Sequence, residues 1–481
     1  MTDFLMTVNG DQVAAATTFG VINPATGEIF SQAPECSREQ LDLAMESARR
    51  AQPNWAAEPA ARRSALVACA AALKEEAPAL AVTLSAEQGK PLKAAEYEIV
   101  EAARWLQASS ELELKTTVVR DDQHSYAEVV HRPLGVVAAI TPWNFPVLLV
   151  GWKVGPALLA GNTVVLKPSP YTPLTTLLIG SLLAKHLPPG VLNVVSGGDE
   201  LGSWMTSHPD VAKISFTGSV ATGKKVAANA VADLKRFTLE LGGNDAAIIL
   251  DDADPATVAK DMFWGAFINN GQICAGIKRI FVPRPLHDEF VAAFAARAGK
   301  VRVGPGDSEG VQVGPVQNKM QFDKVTELVA DALANGATAV AGGLPSEGPG
   351  YFFPPTVLTG VKEGMRIVDE EQFGPAVPVM PYDDVEEVID RANATKFGLS
   401  GSVWSPNIER AQEVAARLDC GTAFVNDHLA LGPDLPFGGI KWSGYGVENG
   451  PWGLEEFMNI QVRYTARPKP AKIAAPPEED K

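Results

Sequence analysis

From Val136 onward the chain repeats one pattern: a short apolar run rich in β-branched residues, a longer amphipathic stretch, then another apolar run. Apolar runs too short for helices, and lacking in-out alternation, read as strands buried on both faces. Strands that recur between helices need crossovers, which makes them parallel neighbours in a doubly wound sheet. The spacing predicts strands at 136–140, 163–167, 191–194, 213–216 and 238–241. Helices are predicted at 148–159, 172–185, 201–207 and 223–230, with stops at Gly161 and Pro168.

A second α/β series follows Leu241. Strands are expected at 246–250, 279–282, 377–380, 402–404 and 422–425. Helices are expected at 255–268, 286–300, 321–334, 385–392 and 408–418, with Asp254 as the N-cap of the first. Ahead of both series, Arg38 to Leu106 has helical spacing and is read as a helical layer that opens the protein. Thr116 to Val130 is β-branched and weakly amphipathic, which suits an exposed strand pair.

Charge and cysteine usage narrow the function classes. The sequence holds 41 Lys and Arg against 57 Asp and Glu, a net charge of −16, which repels a phosphate backbone; no nucleic-acid partner is expected. Cys36, Cys69, Cys274 and Cys420 lie far apart with no CxxC pair, so neither a disulfide framework nor a metal site is expected, and a reducing, cytoplasmic setting fits. The most apolar stretch, Leu134 to Leu166, is interrupted by Pro142, Asn144, Pro146, Lys153, Pro156 and Asn162, so no membrane span is expected.

Five segments could carry chemistry. Cys274 lies in NNGQICAG, just past a helix end, where a thiol flanked by small residues can meet a substrate; its thiolate would be the nucleophile. Glu240 in LELGGN ends an apolar strand, and partial desolvation there raises a carboxyl toward the range of a general base. Asn144 in TPWNFP is a neutral donor in a loop stiffened by two prolines, suited to an oxyanion together with the Cys274 N–H. FTGSVATG runs from strand to helix, with Gly218 and Gly223 leaving room for a ligand and a helix N-terminus open to phosphate. Lys167 in KPSP ends a strand at the sheet edge where open α/β folds bind ligands.

Together with EEQFGP (370–375) and PFGGIKWSG (436–444), these motifs resemble the aldehyde dehydrogenase superfamily over nearly the whole chain, from Val21 to about Tyr464. The resemblance implies an aldehyde-dehydrogenase-like α/β fold: a Rossmann-type doubly wound cofactor domain, a second α/β catalytic domain and a small β oligomerisation flap. Residues 1–114 and 133–242 would form the first, 243–445 the second, and 115–132 with 455–467 the flap; 468–481 would be a disordered tail. It implies Cys274 as nucleophile, Glu240 as the base that activates water, Asn144 as oxyanion donor, and Lys153 and Glu448 as a proton path from Glu240 to solvent. For the cofactor it implies Trp143, Lys167, Ser169, Gly218, Ser219, Gly223, Glu371 and Phe373. Pro170 stands where many NAD-preferring relatives carry a ribose-binding Glu, which leaves NAD and NADP both open, NAD favoured.

By the same resemblance Phe145, Leu149, Trp152, Ile273, Leu431 and Phe437 line the aldehyde tunnel. They are apolar or aromatic, so an aliphatic or aromatic aldehyde is expected over a small charged semialdehyde, which would need an Arg or Lys clamp. His428 and Asp434 are read as solvated loop residues near the mouth. The expected product is the carboxylic acid, and the expected assembly a homodimer or homotetramer whose flap covers an exposed strand edge. The alternatives are a CoA-acylating semialdehyde dehydrogenase, against which Glu240 argues, and a catalytically silent binding protein on the same fold.

Overall fold

The structure, a computed structural model, describes residues 4–113 and 115–468. Two antiparallel hairpins precede the helical layer that was expected to open the chain: Met6–Val8 with Asp11–Val13, and Thr17–Asn23 with Glu28–Glu35. The first turns on Asn9-Gly10, both at positive φ (55° and 87°), the dipeptide that tight hairpins favour. Its strand Met6–Val8 is fully buried because it extends the large sheet beside Leu192–Val194.

The helical layer resolves into Arg38–Ala57, Pro59–Glu75, Ala77–Gln88 and Leu92–Glu111. Ser37 and Gln40 form a capping box at the first, Pro59 opens the second, and Gly89 in the left-handed region closes the third.

The eight-stranded sheet runs, in spatial order, Gly444–Tyr445, Arg236–Glu240, Val211–Thr217, Val136–Ile140, Thr163–Lys167, Leu192–Val194, Met6–Val8, Asp11–Val13. Its five central strands are parallel. The strand order reverses between Val136–Ile140 and Val211–Thr217, and the crevice beyond the carboxyl ends at such a switch point is where open α/β sheets bind ligands. The register brings those ends level: Ile140 pairs with Lys167, Phe216 with Ile140, and Thr217 with Glu240.

A seven-stranded sheet follows, ordered Thr338–Ala341, Thr356–Thr359, Ala376–Tyr382, Ile277–Pro283, Asp245–Ile249, Ser400–Trp404, Thr422–Val425. The first two of these strands were not expected; one alternates exposed and half-buried residues, and the other is a four-residue run. The helix expected over 255–268 is two, Pro255–Asp261 and Phe263–Phe267. Each face of this sheet has its own core, one around Phe281, Leu328 and Phe353, the other around Phe263, Phe290 and Phe294. A three-stranded sheet pairs Met458–Ala466 with Ser125–Pro133 and Thr117–Asp121. Residues 469–481, most of the tail expected to be disordered, lie outside the described residues. Among the described residues no helix is long and apolar enough to cross a membrane.

Candidate active site

The segment Leu241–Asn244 leaves the carboxyl end of one large sheet and enters the first residue of Asp245–Ile249 in the other. It has no room for side chains at its centre. A Cβ at Gly242 would meet the Glu371 carboxylate at 2.1 Å, and one at Gly243 the Cys274 carbonyl at 2.8 Å. The two glycines thus let Glu240, the Cys274 loop and Glu371 converge on one crossing.

Cys274 lies in the turn before Ile277–Pro283 and stays partly accessible. Side chains fasten the carbonyls around it. Asn144 Nδ2 donates to Gln272 at 3.0 Å, Lys278 Nζ to Ile273 at 2.5 Å and to Gly276 at 3.3 Å, and His428 Nε2 to Ala275 at 2.8 Å. Burial, reinforced by the Glu240 carboxylate, pushes the thiol up to about 12, so its resting form is neutral. His428 is not a solvated mouth residue. It is buried beside the nucleophile, and burial pulls it down to about 3, leaving a neutral imidazole. Asp434 is exposed, as expected.

Glu240 ends its strand 3% exposed, and among the described residues neither carboxylate oxygen has a hydrogen-bond partner. Burial first, and the neighbouring Glu448 second, hold it well above the usual carboxylate range, while Lys153 opposes. Lys153 Nζ lies 2.6 Å from Glu448 Oε1 and 3.2 Å from Ser215 Oγ, and the other Glu448 oxygen is unpartnered. A proton-hungry carboxyl with free oxygens therefore abuts a buried ion pair that can relay charge.

Asn144 is set by residues that sequence reasoning missed. Lys90 Nζ and Asn269 Nδ2 each donate to its backbone carbonyl at 3.0 Å. Lys90 forms a buried ion pair with Glu98, whose other oxygen accepts from the N–H groups of Val147 and Leu148 at 2.8 and 3.2 Å. The pair anchors the loop to the first turn of Leu148–Leu159, where a carboxylate is favoured.

The cofactor candidates fall along the carboxyl rim. Lys167 is 4% exposed, donates to the Pro168 carbonyl at 3.3 Å, and is pulled down to about 8 by burial. Ser169 is buried, its hydroxyl accepting from Tyr171 N–H at 3.3 Å. Ser219 caps Val220–Ala232 by accepting from Thr222 N–H. The glycines of that turn have internal reasons: a Cβ at Gly218 would strike the Phe216 ring, and one at Gly223 would strike Leu241, both at 2.5 Å. Glu371 Oε1 accepts from Gly243 N–H at 2.9 Å. Phe373, held at φ 49°, meets Trp143 edge-on at 5.2 Å.

Of the tunnel residues, Phe145, Leu149, Trp152, Leu431 and Phe437 share one apolar cluster with Cys274, joined by Trp105, Leu148, Leu399 and Leu429. Ile273 is buried outside that cluster. Trp152 stacks on Trp105 at 5.7 Å and takes the Phe437 ring edge-on at 5.4 Å. Residues 102–106 lie in an amphipathic helix, and nothing in that helical periodicity tells a pocket wall from a core face.

Known proteins resemble this chain over nearly its whole length. A family model described as the aldehyde dehydrogenase family matches residues 12–462. The chain is 38% identical to a betaine aldehyde dehydrogenase of Rhizobium leguminosarum bv. trifolii, over 93% of this chain and 94% of that one. It is also 38% identical to retinaldehyde dehydrogenase 3 of Mus musculus, over 92% and 89%. Among solved structures, an aldehyde dehydrogenase variant from Bacillus cereus superposes with a TM-score of 0.95 at 35% identity, covering 97% of each chain. A betaine aldehyde dehydrogenase from Staphylococcus aureus in complex with NAD+ gives 0.94 at 33%, covering 98% and 97%.

Proposed function

The chain belongs to the aldehyde dehydrogenase family, and from that premise we propose that it oxidises an apolar aliphatic or aromatic aldehyde to its acid, with NAD preferred and NADP tolerated. The observation that carries this reading is Glu240: a buried carboxylate with both oxygens unpartnered among the described residues, whose charge acts on a partly accessible thiol packed against an apolar cluster.

Once the Cys274 thiol has given its proton to solvent water, its sulfur adds to the aldehyde carbon. The new alkoxide is held by the Asn144 side-chain amide and the Cys274 N–H, leaving a thiohemiacetal whose carbon carries the hydrogen to be lost. A nicotinamide ring, when bound, supplies the acceptor for that hydride, which turns the adduct into a thioester. Water then attacks the thioester carbon as Glu240 takes its proton, the C–S bond breaks, and the acid leaves. Glu240 is cleared through the Glu448–Lys153 pair beside it.

The rim fits a dinucleotide. Among the described residues the buried Lys167 ammonium has one hydrogen bond, to a carbonyl, and the Ser219-capped helix presents its N-terminus at the switch point. Lys167 and Ser169 would hold the adenosine end, Ser219 the pyrophosphate, Glu371 the second ribose, and Trp143 and Phe373 the ring.

Relatives named for a small cationic aldehyde and for a long apolar one are equally identical to this chain, so their names do not choose a substrate. The pocket does. The tunnel candidates that pack with Cys274 are all apolar or aromatic. The cluster's aromatic faces are already engaged: Lys90 lies 4.2 Å from the Phe145 ring centre, Arg104 5.4 Å from Trp105, and Trp105 is stacked on Trp152. An apolar guest fits better than a quaternary ammonium, which would want open faces.

For assembly, strand Met458–Ala466 exposes Ile460, Val462 and Tyr464 along one face of the three-stranded sheet, a surface suited to burial against another copy in a homodimer or homotetramer. Four free cysteines suit a reducing, cytoplasmic compartment. An aldehyde panel assayed with NAD and NADP side by side, with and without CoA, tests the whole reading. Bulky apolar aldehydes should lead, and acid should form without CoA; a lead by succinate semialdehyde or by betaine aldehyde would reject the pocket assignment.

A further inference from the structure

Lys278 has no part in the reaction as derived, yet its placement is costly. It is 2% exposed and among the described residues has no ion-pair partner. A buried ammonium without a carboxylate is unfavourable, and an apolar side chain of like length would fill the space without that cost. What the ammonium does have is two backbone carbonyls, Ile273 at 2.5 Å and Gly276 at 3.3 Å, which bracket Cys274.

The first of these matters for chemistry. The Ile273 carbonyl and the Cys274 N–H belong to one planar trans peptide group, so they point in opposite directions. A cation fixed on the carbonyl oxygen fixes the direction of the N–H and draws electron density from it, which makes that N–H a stronger donor. We propose that Lys278 is a positioning residue for the nucleophile: it orients and polarises the Ile273–Cys274 peptide whose N–H faces the oxyanion, and its positive charge favours the thiolate.

The surrounding groups agree in sign. Cys274 faces Glu240 from strand Arg236–Glu240 and Asp245 from Asp245–Ile249, both of which disfavour a thiolate, and Lys278 is the one cation that favours it. Lys278 in turn faces Glu371, Asp245 and Cys274, all of which favour its ammonium against burial. His428, the remaining titratable neighbour, is neutral. Neither Asp245 nor Glu371 lies within ion-pair distance of the ammonium: Asp245 accepts from Ser400 Oγ and N–H, and Glu371 from Gly243 N–H.

This inference rests on Cys274 being the nucleophile, and its test separates the two. The rate of Cys274 alkylation by iodoacetamide is followed against pH in the full-length protein, as wild type, Lys278→Met and Lys278→Arg, with kcat, KM and NAD affinity measured alongside. Below the midpoint the alkylation rate follows the thiolate fraction, so Lys278→Met should slow it about tenfold at about pH 8, and it should lower kcat by about tenfold to a hundredfold at near-constant NAD affinity, the range expected when an oxyanion donor is weakened. Lys278→Arg should recover much of both. If Lys278→Met does not fold, Lys278→Gln keeps a donor to the carbonyl without the charge and must show the same slower alkylation. An unchanged alkylation rate in a folded neutral variant overturns the proposal. Aldehyde oxidation by Cys274→Ala would instead overturn the nucleophile assignment beneath it.

Discussion

Replacing Asn144 by Ala tests the oxyanion site with little collateral damage. The side chain is 3% exposed and gives one N–H to the Gln272 carbonyl at 3.0 Å. The loop itself is held through the Asn144 backbone carbonyl by Lys90 and Asn269, contacts the substitution leaves in place. Stability should therefore fall by only about 1 kcal/mol, the usual net value of one neutral hydrogen bond. Turnover loses more. A fixed donor aimed at a developing alkoxide contributes about 3 kcal/mol, so kcat should drop by about a hundredfold to a thousandfold while NAD affinity is unchanged. Stopped-flow absorbance of the reduced nicotinamide, with a thermal melt of the same sample, reads both quantities. A folded variant whose first-turnover rate stays within about threefold of wild type would refute the role.

Two further outcomes follow from the buried charges. Lys90→Met strands Glu98 in the interior; because that carboxylate keeps the Val147 and Leu148 N–H groups, the loss should lie near the low end of about 3–5 kcal/mol, read from the urea midpoint, and adding Glu98→Gln should recover part of it. Burial holds Lys167 at about 8, so its ammonium is present below that pH and lost above it; NAD affinity should weaken as pH rises through 8, and Lys167→Met should flatten that dependence in a fluorescence titration. The stability sign at Lys167 is the reverse: between about 8 and 10.5 the unfolded chain keeps a proton the folded one has lost, so this site's penalty shrinks as pH rises through that window.

Much of this architecture could be read from the chain. The units Val136–Ile140, Leu148–Leu159 and Thr163–Lys167 fall where the apolar runs and the Gly161 and Pro168 stops place them, because strands buried on both faces leave an unambiguous pattern. The N-terminal hairpins were missed because Asp11–Val13 and much of Thr17–Asn23 are polar or exposed; the Asn9-Gly10 pair was the signal that could have revealed the first. At the site, Cys274, Glu240 and Asn144 were legible as candidates, since glycines flank the first, follow the second, and prolines bracket the third, each at or just beyond the end of a regular element. Their supports were not. Lys90, Glu98, Lys278 and His428 look like solvated surface residues in a linear chain, and only the packing of distant segments shows them buried and committed to backbone groups.

The central claim is that Cys274 becomes acylated and that Glu240 drives its release. Glu240→Gln, mixed with an aromatic aldehyde and NAD, quenched within the first turnover and digested, should show the peptide carrying Cys274 heavier by the aldehyde less two hydrogens, with one equivalent of reduced nicotinamide formed per site and little afterwards. Steady turnover at the wild-type rate, or an unmodified Cys274 peptide after the burst, would contradict it.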